Sequence, residues 1–214
     1  MTTDTSIAKV LLESGVATFK PDEPFRYTTG ILSPVYMDHR VLISQPENRK
    51  KIATALEDLA RSNFSHIEVL AGTATAGIPW AAWISSHMNI PMVYVRGEAK
   101  KHGQKKQVEG VLAPGSKTVI VEDLISTGAS SIVSVNAVRE AGGQPLGVAG
   151  IFTYGLPSAT TAYKEADTPL HTLTNFSTLV DVAIQQGMLS AESQEQVLAW
   201  AEDPTGWGAK MGHE

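Results

Sequence analysis

The sequence predicts an α/β fold, a mostly parallel sheet flanked by helices with a small N-terminal addition, on three observations. Apolar runs of strand length alternate with amphipathic stretches along the chain. Its 214 residues suit one domain and are ample for a buried core. Neither an internal repeat nor a low-complexity linker divides them.

In order, residues 5–14 form an amphipathic helix that Gly15 ends, and two short extended segments follow near 25–29 and 34–40. Ser44-Gln-Pro-Glu47 has the pattern of a capping box with proline near the helix start. The helix it opens places Ile52, Leu56, Leu59 and Ala60 on one face. Strand 66–71, helix 78–88, strand 92–95, a basic loop and strand 118–121 come next. After them stand helix 130–141, strand 147–154, a helix near 158–166 and an extended piece at 171–174. Two helices, near 177–186 and 192–201, complete the pattern. The organisation expected is one domain: about 1–45 as the addition, 46–200 as the core, and 203–214 as a loose tail with three glycines and Pro204. Ligands of such sheets sit at the carboxyl edge, which singles out the loops after Ala71, Val95, Val121 and Tyr154.

Composition narrows the classes. The chain is 43% hydrophobic and 18% charged, as ordinary globular proteins are. It has no cysteine, which excludes disulfides and thiolate metal sites and suits a reducing cytoplasm. Its first twenty residues are too polar for a secretory leader, and no apolar run reaches membrane-spanning length. Two Asn-Phe-Ser triplets, at Asn63 and Asn175, are then chance matches to a glycosylation acceptor. A net charge of −5 argues against nonspecific nucleic-acid binding. The charge is uneven, however: Arg96, Lys100, Lys101, Lys105 and Lys106 crowd one loop against Glu98 and Glu109. A concentrated basic loop on an acidic chain points to a local anionic ligand, although a merely solvated loop would look the same alone.

The run Lys117-Thr-Val-Ile-Val-Glu-Asp-Leu-Ile-Ser-Thr-Gly-Ala-Ser-Ser131 carries the most chemistry. An apolar strand runs into two carboxylates, Glu122 and Asp123, suited to accept charge-assisted hydrogen bonds from adjacent ribose hydroxyls. Ser126, Thr127, Gly128, Ala129 and Ser130 would offer backbone N–H groups, hydroxyls and a helix N-terminus to a phosphate. A plain capped helix explains the serines but not two adjacent acids. Gly72-Thr-Ala-Thr-Ala-Gly77 has Walker A glycine spacing, yet Ile78 stands where the lysine belongs.

The run Val119–Gly128 resembles the 5-phosphoribosyl 1-diphosphate (PRPP) signature of the type I phosphoribosyltransferases. Three further segments resemble the orotate phosphoribosyltransferases among them. These are Phe25-Arg-Tyr-Thr-Thr-Gly-Ile-Leu-Ser-Pro-Val-Tyr-Met-Asp-His-Arg40, Gly72-Thr-Ala-Thr-Ala-Gly-Ile78 and Tyr94-Val-Arg-Gly-Glu-Ala-Lys-Lys-His-Gly103. The match spans roughly residues 5–155, and the addition becomes a base-binding hood. By this resemblance Glu122, Asp123, Leu124, Ile125, Ser126, Thr127, Gly128, Ala129 and Ser130 bind PRPP, with Thr73 and Ala74 in the pyrophosphate loop. Arg96, Lys100 and His102 reach the pyrophosphate from the partner subunit of a homodimer, on a mobile loop over 97–109. Lys100, His102, Glu122 and Asp123 are the expected catalytic set, and Ser126, Tyr36, Tyr154 and Arg40 the expected orotate contacts. Magnesium is implied on substrate oxygens, with no dedicated protein ligands.

The chain departs from the commoner family pattern at Gly97, Ala76 and Thr28, where many members carry lysine, and at Tyr154, where many carry arginine. These changes touch the orotate carboxylate contact and leave the phosphoribosyl site intact. A purine or uracil phosphoribosyltransferase is the competing enzyme class, which the Gly-x-x-Ser-Pro segment disfavours. A non-catalytic ligand sensor would carry a DNA-binding helix pair or a basic face, and neither is visible. The remaining histidines (39, 66, 87, 171, 213) show no ligand spacing, and Trp80, Trp83 and Met88 suit a buried helix face.

Overall fold

Helix α1 (Thr3–Glu13) opens the structure, a computed structural model that describes residues 3–27, 30–97 and 106–213. It buries the stripe Ile7, Ala8, Leu11 and Leu12. Gly15 ends it at φ +76°, a left-handed angle that glycine adopts without steric cost. Strands β1 (Ala17–Phe19), β2 (Phe25–Arg26), β3 (Leu32–Ser33) and β4 (Val35–Met37) follow, pairing antiparallel as β1–β4 and β2–β3. A 3-10 turn (His39–Ser44) then leads to α2 (Pro46–Asn63). Ser44 therefore closes the turn instead of capping the helix. Gln45 provides the first carbonyl, accepting the Arg49 N–H at 2.8 Å, and Pro46 takes the first helical position, where no N–H is needed.

From there strands and helices alternate: β5 (Val69–Thr73), α3 (Gly77–Met88), β6 (Met92–Val95), β7 (Val108–Glu109), β8 (Lys117–Ile125), α4 (Ala129–Glu140), β9 (Gln144–Thr153), α5 (Pro157–Glu165) and β10 (Leu170–Asn175). Helices α6 (Phe176–Gln185), α7 (Gln194–Glu202) and α8 (Trp207–Lys210) complete the chain. Among the described residues, no helix is long and apolar enough to cross a membrane.

The chain divides into two compact units. One comprises residues 50–153 and 157–173 and holds the large sheet, ordered β10-β9-β8-β5-β6-β7. Strands β9, β8, β5 and β6 run parallel and β7 returns antiparallel along β6. Val69, Ala71, Val93, Val95, Ile120 and Val148 of the sheet share one buried cluster with Val135 and Val138 of α4 and Tyr163 of α5. Strand β8 was expected to stop at Val121. It continues to Ile125 because β9 accompanies it, pairing Glu122 with Gly150 and Leu124 with Phe152.

The other unit comprises residues 1–49, 154–156 and 174–214. Asn175 caps α6 by accepting the Thr178 N–H at 3.0 Å. The Thr178 hydroxyl donates to Asp4 of α1 at 2.9 Å, and the Trp200 indole donates to the Leu32 carbonyl at 2.9 Å. The segment from Asp203, expected to be loose, is anchored by Trp207. That ring is 1% exposed, donates to the Gln196 carbonyl at 2.7 Å and stacks on His213. Burying one large aromatic offsets the entropy of ordering a short glycine-rich segment.

Candidate active site

Strand β8 delivers Glu122 and Asp123, turns at Ser126–Gly128 and enters α4. Gly128 is the residue before the helix, at φ +81°, and gives no side-chain cap. The Thr127 hydroxyl accepts the Ala129 N–H at 3.5 Å, a long bond that leaves the positive end of α4 weakly capped and able to receive an anion. The first two turns of α4 carry three serines with three separate tasks. Ser130 donates to Glu122 at 3.1 Å and Ser131 donates to the Gly128 carbonyl at 2.9 Å. Ser134 gives its proton to the Ser130 carbonyl at 3.2 Å, so Thr73 donates to Ser134 across 3.0 Å.

The two acids differ in environment. Glu122 is 4% exposed and also accepts the Asp123 N–H at 3.2 Å, whereas Asp123 is half-buried. Burial pushes the Glu122 carboxyl well above its ordinary 4.5, and the Asp123 carboxyl beside it adds to the rise. Below pH 4.5 both folded and unfolded chains hold this proton. As pH climbs through the raised folded value, a buried charge must form and stability falls. Glu122→Gln removes that penalty. Its ligand-free melting temperature should exceed wild type at pH 8, and the gain should fade as pH approaches 4.5; a gain constant with pH would show that no buried charge is involved.

The expected pyrophosphate loop lies between β5 and α3. Thr73 is buried with its hydroxyl on Ser134, and the Ala74 N–H donates to the Val95 carbonyl at 2.8 Å. Both groups are thus used within the protein, and Thr75 forms the exposed crest. The Ala74–Thr75 peptide is cis. A Cβ on Gly77 would stand 2.4 Å from the Val121 carbonyl oxygen, so the start of α3 lies directly against β8 where that strand reaches its acids.

Of the segment 97–109, read from sequence as one loop, Val108–Glu109 is strand β7. Arg96 meets Glu109 at 3.5 Å and receives the Gln107 side chain on its carbonyl at 3.1 Å, which makes a stem. Lys100 and His102 lie outside the described residues, as does Thr28.

The expected orotate contacts divide likewise. Ser126 is exposed at the turn after β8. In the other unit Tyr36 is 39% exposed, its ring 5.6 Å from Phe25. Tyr154 is buried against Phe176 and Trp200. Burial, with a hydrogen bond to Tyr27, raises its hydroxyl far above the ordinary 10 and keeps it a neutral donor. Arg40 already grips a carboxylate, that of Asp38, at 2.7 and 2.9 Å, and holds it below its ordinary 3.8.

The sequence motifs included Gly77 and Ser131 without giving either a role, and Ser134 and Tyr163 were missed as parts of this arrangement. The serine spacing on α4 was a usable signal, since residues one turn apart share a face. For Tyr163 there was none. A cavity of about 410 Å3, lined by Lys106, Val108, Leu112, Ala137 and Glu140 among others, lies at the far end of α4 and shares no residue with the acids.

Residues 42–154 match the phosphoribosyl transferase domain. The orotate phosphoribosyltransferase of Listeria innocua is 45% identical over 208 residues, 97% of this chain and all of that protein. The crystal structure of orotate phosphoribosyltransferase from Aeropyrum pernix superposes with a TM-score of 0.74 at 26% identity, covering 86% of this chain and 99% of that one. The UMP synthase of Leishmania donovani shares the fold, with a TM-score of 0.77 at 23% identity over 92% of this chain and 42% of that one.

Proposed function

The chain belongs to the orotate phosphoribosyltransferase family, and on that premise we propose that it transfers the phosphoribosyl group of PRPP to orotate, giving orotidine 5'-phosphate and pyrophosphate in pyrimidine synthesis. The observation that carries this is the acid pair Glu122–Asp123, delivered by β8 straight into the weakly capped start of α4. A single ligand with a ribose diol beside a 5-phosphate satisfies both at once.

Breaking the bond from ribose C1 to pyrophosphate leaves positive charge on the sugar and negative charge on the leaving group. Ionised orotate attacks through its ring nitrogen, so no protein nucleophile is required. Positioning and electrostatics do the rest. Asp123 is the more available acid for the ribose hydroxyls, because both Glu122 oxygens already accept a bond. The amides of residues 129 and 130, with Ser126 and Thr127, hold the 5-phosphate. Ser126, Tyr36, Tyr154 and Arg40 remain the orotate contacts by family resemblance, although Arg40 would first have to release Asp38. Arg96, Lys100 and His102 offset charge on pyrophosphate, and His102 supplies a proton to the leaving oxygen. Arg96 would exchange Glu109 for the ligand, a small loss for an exposed pair.

Among the described residues, no three acids or histidines gather as a metal cage. Magnesium therefore fits only with substrate oxygens and water as its main ligands and Asp123 nearby, and when bound it would neutralise pyrophosphate charge. A cysteine-free chain suits the cytoplasm in which we place the reaction.

Following loss of orotate absorbance with and without PRPP and magnesium tests the proposal. Turnover should require all three, with hypoxanthine and uracil failing to compete; turnover of a purine in place of orotate would overturn it. We further propose that the loop of Lys100 completes the partner's site in a homodimer. Lys100→Ala and Asp123→Asn dimers should each be nearly inactive. Random reassociation of the two gives one intact site in each mixed dimer and about a quarter of wild-type activity. A mixture shown by mass to contain mixed dimers, yet inactive, would place Lys100 in its own subunit's site.

A further inference from the structure

Tyr163 stands on α5, outside every motif of the site, yet it meets the turn before α4 at two points. Its ring lies against Gly128, where a Cβ would come 3.0 Å from Tyr163 Cε2. Its hydroxyl is hydrogen-bonded to the Ser131 hydroxyl. Ser131 has one proton and gives it to the Gly128 carbonyl at 2.9 Å, so Tyr163 is the donor to Ser131. A directed chain results, from the Tyr163 O–H through Ser131 to the Gly128 carbonyl. Burial pushes the Tyr163 hydroxyl well above its ordinary 10, which keeps the donor proton in place at any working pH. The ring is 6% exposed and belongs to the same core cluster as Ala159, Val135 and Val138, so its position is fixed from behind.

Glycine has the most backbone freedom to lose, and Gly128 holds φ +81° at the turn into α4, its carbonyl accepting the Ile132 N–H at 3.0 Å as well as the Ser131 hydroxyl. A cradle ordered before its ligand arrives binds more tightly than one ordered on binding. We propose that Tyr163 is a positioning residue for the 5-phosphate cradle, its ring buttressing Gly128 and its hydroxyl holding the Gly128 carbonyl through Ser131. The inference rests on the phosphoribosyl assignment and adds a residue from a helix the signature does not contain.

Calorimetry on the full-length protein with two partial ligands, ribose 5-phosphate and pyrophosphate, tests it. Tyr163→Phe keeps the ring and deletes the donor. It should weaken ribose 5-phosphate binding and raise KM for PRPP about fivefold, the factor carried by one neutral hydrogen bond. Affinity for pyrophosphate should hold, and kcat should change by less than about twofold. Unchanged ribose 5-phosphate affinity, or equal losses for both ligands, would overturn the proposal and leave Tyr163 an ordinary core residue. Ser131→Ala should cost more than Tyr163→Phe, and adding Tyr163→Phe to it should cost nothing further; additive losses would show that Tyr163 does not act through Ser131. Wild-type protein that binds neither partial ligand would instead refute the phosphoribosyl assignment itself.

Discussion

Asp123→Asn should keep the fold and lose activity tens to hundreds of fold, on the order of 2–3 kcal/mol of transition-state stabilisation. The amide preserves shape, but it replaces a charged acceptor with a neutral one and can place an N–H where the proposed ribose contact needs a lone pair. Glu122→Gln should fall in the same range. Its amide can still meet Ser130, whose hydroxyl both donates and accepts, so the fold tolerates it. At neutral pH Glu122→Gln should therefore be the rarer kind of variant, slower in turnover yet harder to melt, as expected where a site keeps a charge buried for its ligand. Steady-state turnover beside a thermal melt checks both. Near-normal turnover in both variants would remove the acid pair from the mechanism.

What could be read from the sequence was whatever repeats locally. The apolar alternation gave every sheet strand of the core except β7, and each core helix within a few residues. The acid pair and the hydroxyl-rich turn were legible because their residues are consecutive, as Glu122 to Ser130. Long-range pairing was not. The continuation of β8 past Val121 depends on β9, and the anchoring of Trp207 depends on Gln196. Thr73 was read only as a ligand contact, and its hydrogen bond to Ser134, sixty-one positions away, was not foreseen. No local pattern encodes that bond.

Gly77→Ala should be strongly destabilising. Its Cβ would stand 2.4 Å from the Val121 oxygen and 3.3 Å from the Val121 carbonyl carbon, both backbone atoms of a central strand that cannot turn aside as a side chain would. Overpacking of this kind costs about 3 kcal/mol, or roughly 6–12 °C in melting temperature for a chain of this size. Activity should drop further than stability explains, because the displaced backbone leads straight into Glu122. Assays well below the melting temperature separate the two effects. Ser86→Ala, on the exposed face of the same helix, should change stability by less than about 0.5 kcal/mol. A Gly77→Ala protein that melts within 2 °C of wild type, about the smallest shift that 1 kcal/mol produces, would show that the helix start and the strand are not in contact.

The Asp4–Thr178 bond and the Trp200–Leu32 bond join segments 174 and 168 positions apart in the sequence. The large sheet can assemble as soon as β10 emerges, since its strands all lie within residues 69–175. The amino-terminal forty-nine residues have no such option. Helix α1 and the paired strands β1 to β4 are made before the sheet but find their partners, Thr178 of α6 and Trp200 of α7, only after it. Residues 1–49 thus precede the sheet in translation yet can complete their own unit only after it. Until then the stripe Ile7, Ala8, Leu11 and Leu12 of α1 lacks α6 to pack against, a state in which apolar surface favours aggregation.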